Sequence, residues 1–198
     1  MRPLCSLRLR PSARRLFAAG LGLFLFAAST SHAFIEIYAK FADATGAYQG
    51  ELTTPANYTG WSLVYSASFG VSNNITFDSL SSGTPTALKV TPQGFSLVRA
   101  TDRISPTLFL DVCSGVTIGS AKNTGLTIDY YSFDTNTVPL RLEFKGVFVN
   151  SQSASSSGDS LPTESVSFVY TSMRMTVLGN DGKAVVTSWN FANGTATY

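Results

Sequence analysis

Few side chains in this sequence could do chemistry. Its single histidine is His32, at the end of an N-terminal apolar run patterned like a cleaved leader. Once His32 is lost, neither a Ser–His nor a Cys–His nucleophile can be assembled, and histidine-based zinc ligation is excluded. Cys113 falls at an apolar helical position, so the expectation is a buried packing thiol; a reactive thiol needs an exposed, electropositive setting. Among the carboxylates, Asp159 and Glu164 flank a polar loop, and Asp129 and Asp134 lie near a strand end. Glycoside hydrolysis needs two carboxylates about 5–10 Å apart across a cleft, and nothing in the sequence sets such a distance. These four are expected to be solvated loop charges. Calcium at Asp159 would lack the ligand ladder of an EF-hand. No phosphate-binding glycine motif is present, since Gly20-Leu21-Gly22 lies inside the apolar run. No catalytic, cofactor-binding or metal-ligating residue is therefore assigned, and no cofactor is expected.

Other residues suit association better than chemistry. Residues 73–87 are polar and read as a long loop, yet they carry Phe77 and Leu80. Apolar side chains in such a segment either fold back or meet a partner. A second polar stretch, 150–163, is almost all Ser, Gly, Asp, Gln and Pro; it cannot bury apolar area and must be a surface loop. Phe77 and Leu80 on the first loop, and Asp159 on the second, are the candidate self-association residues. Trp61, Tyr65 and Phe69 could stack sugars, although a strand face of this kind is usually core.

The elements that would hold these segments are mostly strands. Phe34–Phe41 alternates Ile35, Ile37, Ala39 and Phe41 against Glu36, Tyr38 and Lys40. Trp61, Leu63, Tyr65, Ala67, Phe69 and Val71 form another period-two face, with a turn-rich loop over 42–60 between the two. Phe95, Leu97 and Arg99 mark a further strand, and Leu126 to Tyr131 another. In 140–148, Leu140, Leu142, Phe144 and Phe148 alternate with charged residues, as in a half-buried antiparallel strand. Val166, Phe168 and Tyr170 begin the next, and the apolar phase switches beyond Ser172 to Met173, Met175 and Val177, which suggests a bulge or barrel corner. Asp181-Gly182 supplies a hairpin turn. One short helix stands out: Ser105-Pro106 as its cap and first residue, Leu108, Phe109, Val112 and Cys113 at helical spacing, Gly115 to end it. The fold class predicted is mainly β, a small antiparallel barrel with one short α-helix.

At the N-terminus, Arg2, Arg8, Arg10, Arg14 and Arg15 precede the apolar run Leu16–Ala28, and Ser31-His32-Ala33 places small residues at −3 and −1. This is the layout of an export signal cleaved after Ala33; a membrane span needs about 20 apolar residues. Arg14-Arg15-Leu16-Phe17 partly fits a twin-arginine signal, so Sec and twin-arginine export both stand. Cleavage removes five of the 14 Lys and Arg and none of the 12 Asp and Glu, leaving a mature domain, 34–198, of net charge −3. It has no basic run to suggest nucleic acid as a partner, no second apolar segment for a membrane, and one cysteine, so no internal disulfide. The expected location is the periplasm, the cell surface or the medium.

The run FSLVRATDRISPTLFLDVCSG at 95–115, with Arg99, Asp102, Ser105 and Pro106, LEFKGVFVNS, the Ser/Gly loop, TESVSF and Trp189-Asn190 together resemble the Hcp family, the haemolysin-coregulated proteins that form the inner tube of type VI secretion systems. The likeness is good over roughly 88–192 and is one of pattern only over Phe34–Val71. It implies a protein that is no enzyme, and a homohexameric ring that stacks into tubes, with itself as first partner and other secretion or cell-surface proteins beyond. Tube proteins of working systems assemble in the cytoplasm without an export signal, so the leader implies reuse outside the cytoplasm. Against this stands an exported monomeric β module that binds a ligand such as a polysaccharide; the first needs a large self-interface, the second an open groove.

Overall fold

A computed structural model describes residues 34–77, 85–119 and 122–198, without the side chains of Phe77 and residues 85–88. The leader expected over 1–33 and Leu80 lie outside the described residues. Nine strands and one α-helix follow in the order β1 (Ile35–Phe41), β2 (Ser62–Phe77), β3 (Pro85–Ala100), α1 (Ser105–Ser114), β4 (Thr124–Ser132), β5 (Thr137–Lys145), β6 (Phe148–Ser155), β7 (Thr163–Val169), β8 (Ser172–Leu178) and β9 (Ala184–Asn190). All nine belong to one antiparallel sheet of order β6-β7-β3-β2-β1-β4-β5-β8-β9. Mainly β with one helix therefore holds. A closed barrel does not follow from the ladders, because β6 and β9 end the sheet and are not paired to each other.

The connections show how the sheet curls. β5 and β6 are adjacent in sequence but stand near opposite ends of the sheet, and so do β7 and β8. The segment 140–148, read as one strand, is two strands meeting at Gly146, whose φ of 57° lies in the left-handed region that glycine tolerates. At the second corner Thr171 N–H donates to the Lys145 carbonyl at 3.0 Å, just where the apolar phase switches. Inside the curl Phe41, Phe95, Leu97, Ile128, Leu142, Phe144 and Phe168 are buried together, with Ile104 and Leu108 from the helix side. Burying such a side chain stabilises by about 1.5–3 kcal/mol.

Strands β1 and β4 are covered on both faces, which alternation did not foresee. Tyr38, placed by its period on the polar face, is fully buried in a second cluster with Tyr58, Trp61 and Tyr131. The segment 42–61 folds over that face, its Gly50 and Gly60 held backbone to backbone at 2.6 Å. Tyr58 lies 4.3 Å from Tyr38 and 4.8 Å from Trp61 between ring centroids. The face running from Trp61 to Val71 also splits. A register irregularity between Val64 and Ser66 breaks the period: Trp61 and Leu63 join the tyrosine cluster, Ala67 packs on the main core, and Tyr65 is exposed.

The largest departure from expectation is at 73–87. Most of this stretch is strand, since β2 and β3 pair as far as Phe77↔Pro85 in a long hairpin. Residues 71–76 are exposed throughout. A ribbon with solvent on both faces carries Ser, Thr and Asn on both faces, so alternation is lost while backbone pairing survives. The second polar loop shrinks as well, because β6 and β7 pair as far as Ser155↔Thr163.

Candidate functional site

Phe77 stands at the outer end of β2, directly opposite Pro85. It is thus a hairpin-tip residue and not a member of an irregular loop. Asp159 is exposed on the 156–162 connection between β6 and β7. The hairpin extends past the Pro85 end of β3, whereas Asp159 lies on the connection just before Thr163, which pairs with Ala100 at the other end of β3.

The carboxylates divide differently from expectation. Asp134 and Asp159 are solvated, but Glu164 and Asp129 are almost fully buried. Arg99, at zero exposure, donates from Nε to Glu164 Oε1 at 2.7 Å, from Nη1 to Ser62 Oγ at 2.7 Å, and from Nη2 to Asp102 Oδ1 at 2.7 Å and Ser105 Oγ at 3.2 Å. Gln152 Nε2 donates to the other Glu164 oxygen at 2.6 Å. One guanidinium thereby ties β2, β3, β7 and the start of α1 together. On the second face Arg141 clasps Asp129 through two 2.6 Å bonds, and Tyr58 donates its hydroxyl to Asp129 Oδ2 at 3.1 Å. That bonding holds Arg141 above its ordinary pKa, and burial beside Asp129 pushes the Tyr58 phenol up. The oxygens of both buried carboxylates are occupied by donors from the chain itself. This is structural ion pairing, and neither of these two carboxylates is left as a free base.

The helix is turned from the orientation its apolar spacing suggested. Leu108 and Asp111 are buried, with Tyr48 donating to Asp111 Oδ2 at 3.0 Å. Burial raises the pKa of Asp111, and burial with the Asp111 bond raises that of Tyr48 to about 12. Cys113, expected inside, is exposed, and so are Phe109 at 61% and Leu110 at 63%. Leu108, Phe109 and Leu110 are consecutive, and at 100° per residue three neighbours cannot share one face. That was the available sign that part of this apolar set faces outward. The cap differs too: Ile104 occupies the cap position, and Asp102 Oδ1 accepts its N–H at 2.8 Å, while Gly115 closes the helix in the left-handed conformation.

At the other end of the sheet a shallow apolar groove of about 210 Å³ runs between the base of the hairpin and strands β8 and β9, lined by Phe69, Val71, Met173, Met175, Thr187 and Trp189. The groove and the 71–76 part of the hairpin are exposed in the single chain.

The family model of the type VI secretion system effector Hcp matches residues 38–177. This chain belongs to the Hcp family. The match spans every strand from β2 to β7, the helix, and nearly all of β8, with part of β1. Solved Hcp proteins share the fold. Hcp1 from Salmonella typhimurium has a TM-score of 0.66 at 19% identity, with 82% of this chain and 99% of that one covered. A type VI secretion system effector from Yersinia pestis has a TM-score of 0.58 at 16% identity, covering 78% and 98%. Hcp1 from E. coli EAEC 042 has a TM-score of 0.57 at 15% identity, covering 79% and 97%. No significant match appears among curated proteins. Hcp proteins are structural tube components and not enzymes, their rings are hexameric, and they are secreted by the type VI system. For this Hcp-family chain the described residues hold no helix long and apolar enough to cross a membrane.

Proposed function

We propose that this chain is a non-enzymatic building block that closes into hexameric rings, that the rings stack, and that it works outside the cytoplasm after losing residues 1–33. The family match over 38–177 carries the reading. Three further observations support it. Two of the four candidate carboxylates, Glu164 and Asp129, are consumed in internal ion pairs. The β2–β3 hairpin projects with both faces in solvent, as an arm does that reaches a neighbour. The Arg-rich start and Ser31-His32-Ala33 fit export. In this reading Phe77, the last paired residue of β2, and Leu80, which follows it in sequence, contact the next ring, and the loop bearing Asp159 makes a second, weaker contact. Ring contacts are heterologous, one face of each protomer against a different face of the next, and they close by rotation. A stable contact of this kind buries roughly 1,200–2,000 Å² in total.

Light scattering coupled to size exclusion on residues 34–198 tests the reading. The expected species is a hexamer that lengthens with concentration, and Phe77→Asp is expected to leave the hexamer and lower its stacking at least tenfold. A chain that stays monomeric at high micromolar concentration sinks the ring reading and favours a ligand-binding module.

A further inference from the structure

Two apolar surfaces lack a cover among the described residues, and they differ in shape and in place. The first is convex. Phe109, Leu110 and Cys113 are exposed on α1, with Val116 just beyond it at 48% exposure. From Ser105 to Gly119 the only charged residue is Asp111, which is buried against Tyr48. A helix facing water normally carries charge on its outer face, and this one carries none. The second surface is concave. The groove between Phe69 and Val71 of β2 and Met175, Thr187 and Trp189 of β8–β9 is apolar, and beside it Val185, at 68% exposure, continues the same face of β9. From Ala184 to Tyr198 the sequence has no charged residue.

The convex surface lies beside β6, the strand that α1 packs on, and the concave one beside β9. These two strands are the opposite ends of the sheet. A knob at one end and a matching uncharged hollow at the other is what a heterologous, head-to-tail contact requires; an isologous dimer would set like against like. The charged side chains on β5 and β8 are no obstacle. Arg141 and Arg174 pair with Asp129 and Glu143 on the face opposite to Met175 and Leu142, as strand alternation dictates.

We propose that the groove is filled by the helix of a second copy, with Phe109 and Leu110 of one protomer seated between Val71, Met175 and Trp189 of the next. The contact deepens the ring reading and rests on it. It separates lateral joining, made by helix and groove, from stacking, made by the hairpin. Solvent-exposed apolar residues on α1 then serve assembly and add little to the fold of a single chain.

The single cysteine of the mature chain makes the test direct. In residues 34–198 carrying Thr187→Cys, Cys113 of one protomer should face the introduced thiol in the groove of its neighbour. Mild oxidation or a short bismaleimide should then give a covalent ladder on a non-reducing gel. The wild type should give none, because Cys113 would face a groove and not another Cys113; Cys113→Ser in the Thr187→Cys background should abolish the ladder. Phe109→Glu should convert the assembly to monomer by light scattering, with unchanged far-UV circular dichroism. Assembled protein whose Thr187→Cys variant does not cross-link to Cys113, or a Phe109→Glu variant that still assembles, overturns this interface and leaves the ring reading standing. A Cys113–Cys113 dimer of the wild type in solution overturns it as well. A wild-type chain that never assembles overturns both.

Discussion

Arg99 is the residue on which most elements converge. Its five donors in a fixed fork suit a site where a carboxylate and a hydroxyl approach from two other strands, and a second of each from the segment that leads into the helix. Removing it leaves Glu164 and Asp102 without their cation. Arg99→Ala should therefore cost about 3–5 kcal/mol, the usual consequence of breaking a buried ion pair from one side, read as a lower urea midpoint for residues 34–198. Because the guanidinium also stands 5.3 Å from the Phe41 ring, Arg99→Lys should recover only part of the loss. Asp111 poses the opposite case. Burial raises its pKa, so the folded chain holds this proton more tightly than the unfolded one, and stability from this group falls as pH rises from the ordinary carboxylate value to the raised one. Asp111→Asn keeps an acceptor for Tyr48 and cannot ionise. Its melting temperature should exceed that of the wild type at neutral pH, and the gap should close as the pH falls below the ordinary carboxylate value; a variant less stable at neutral pH would refute this account.

At the level of elements, the two corners matter more than any one strand. Gly146 turns the chain from one end of the sheet to the other, and a Cβ there would lie 2.9 Å from Thr171 Cγ2 besides straining a φ of 57°. Gly146→Val should destabilise by more than about 1 kcal/mol. Gly158, around which a Cβ meets nothing within 4 Å, is the control, and Gly158→Val should stay within about 0.5 kcal/mol of wild type. Comparison of urea midpoints checks the pair. Strands that bury one face were legible from period two, as in β5, β7 and β8. The outer β2–β3 ribbon was not, because alternation reports burial and this ribbon buries neither face. The helix was legible in extent, from Pro106 and Gly115, but its rotation was not.

For the molecule as a whole, the sheet's two ends remain open in the single chain, which is the arrangement in which a neighbour can complete each one. Export belongs to the same scale, because it decides which compartment the rings would occupy. The protein recovered from the periplasm or the medium should begin at Phe34 by N-terminal sequencing; cytoplasmic material with Met1 intact would return the chain to the ordinary tube reading.

By itself the sequence determined the class: mainly β, one helix at 105–114, and a family pattern set by Arg99, Asp102, Ser105 and Pro106 in order. It also determined that no histidine chemistry is available after residue 33. These are local matters of residue type, period and spacing, which a linear string records. Only the tertiary structure decided that Glu164 and Asp129 are buried partners of Arg99 and Arg141, lying 65 and 12 residues away. It alone decided that Tyr38 is core and Cys113 surface, and that an apolar helix face and an apolar groove lie beside opposite ends of one sheet. Each of these depends on how a curled sheet brings distant strands together and on what covers its second face, and neither is encoded in the alternation of neighbouring residues.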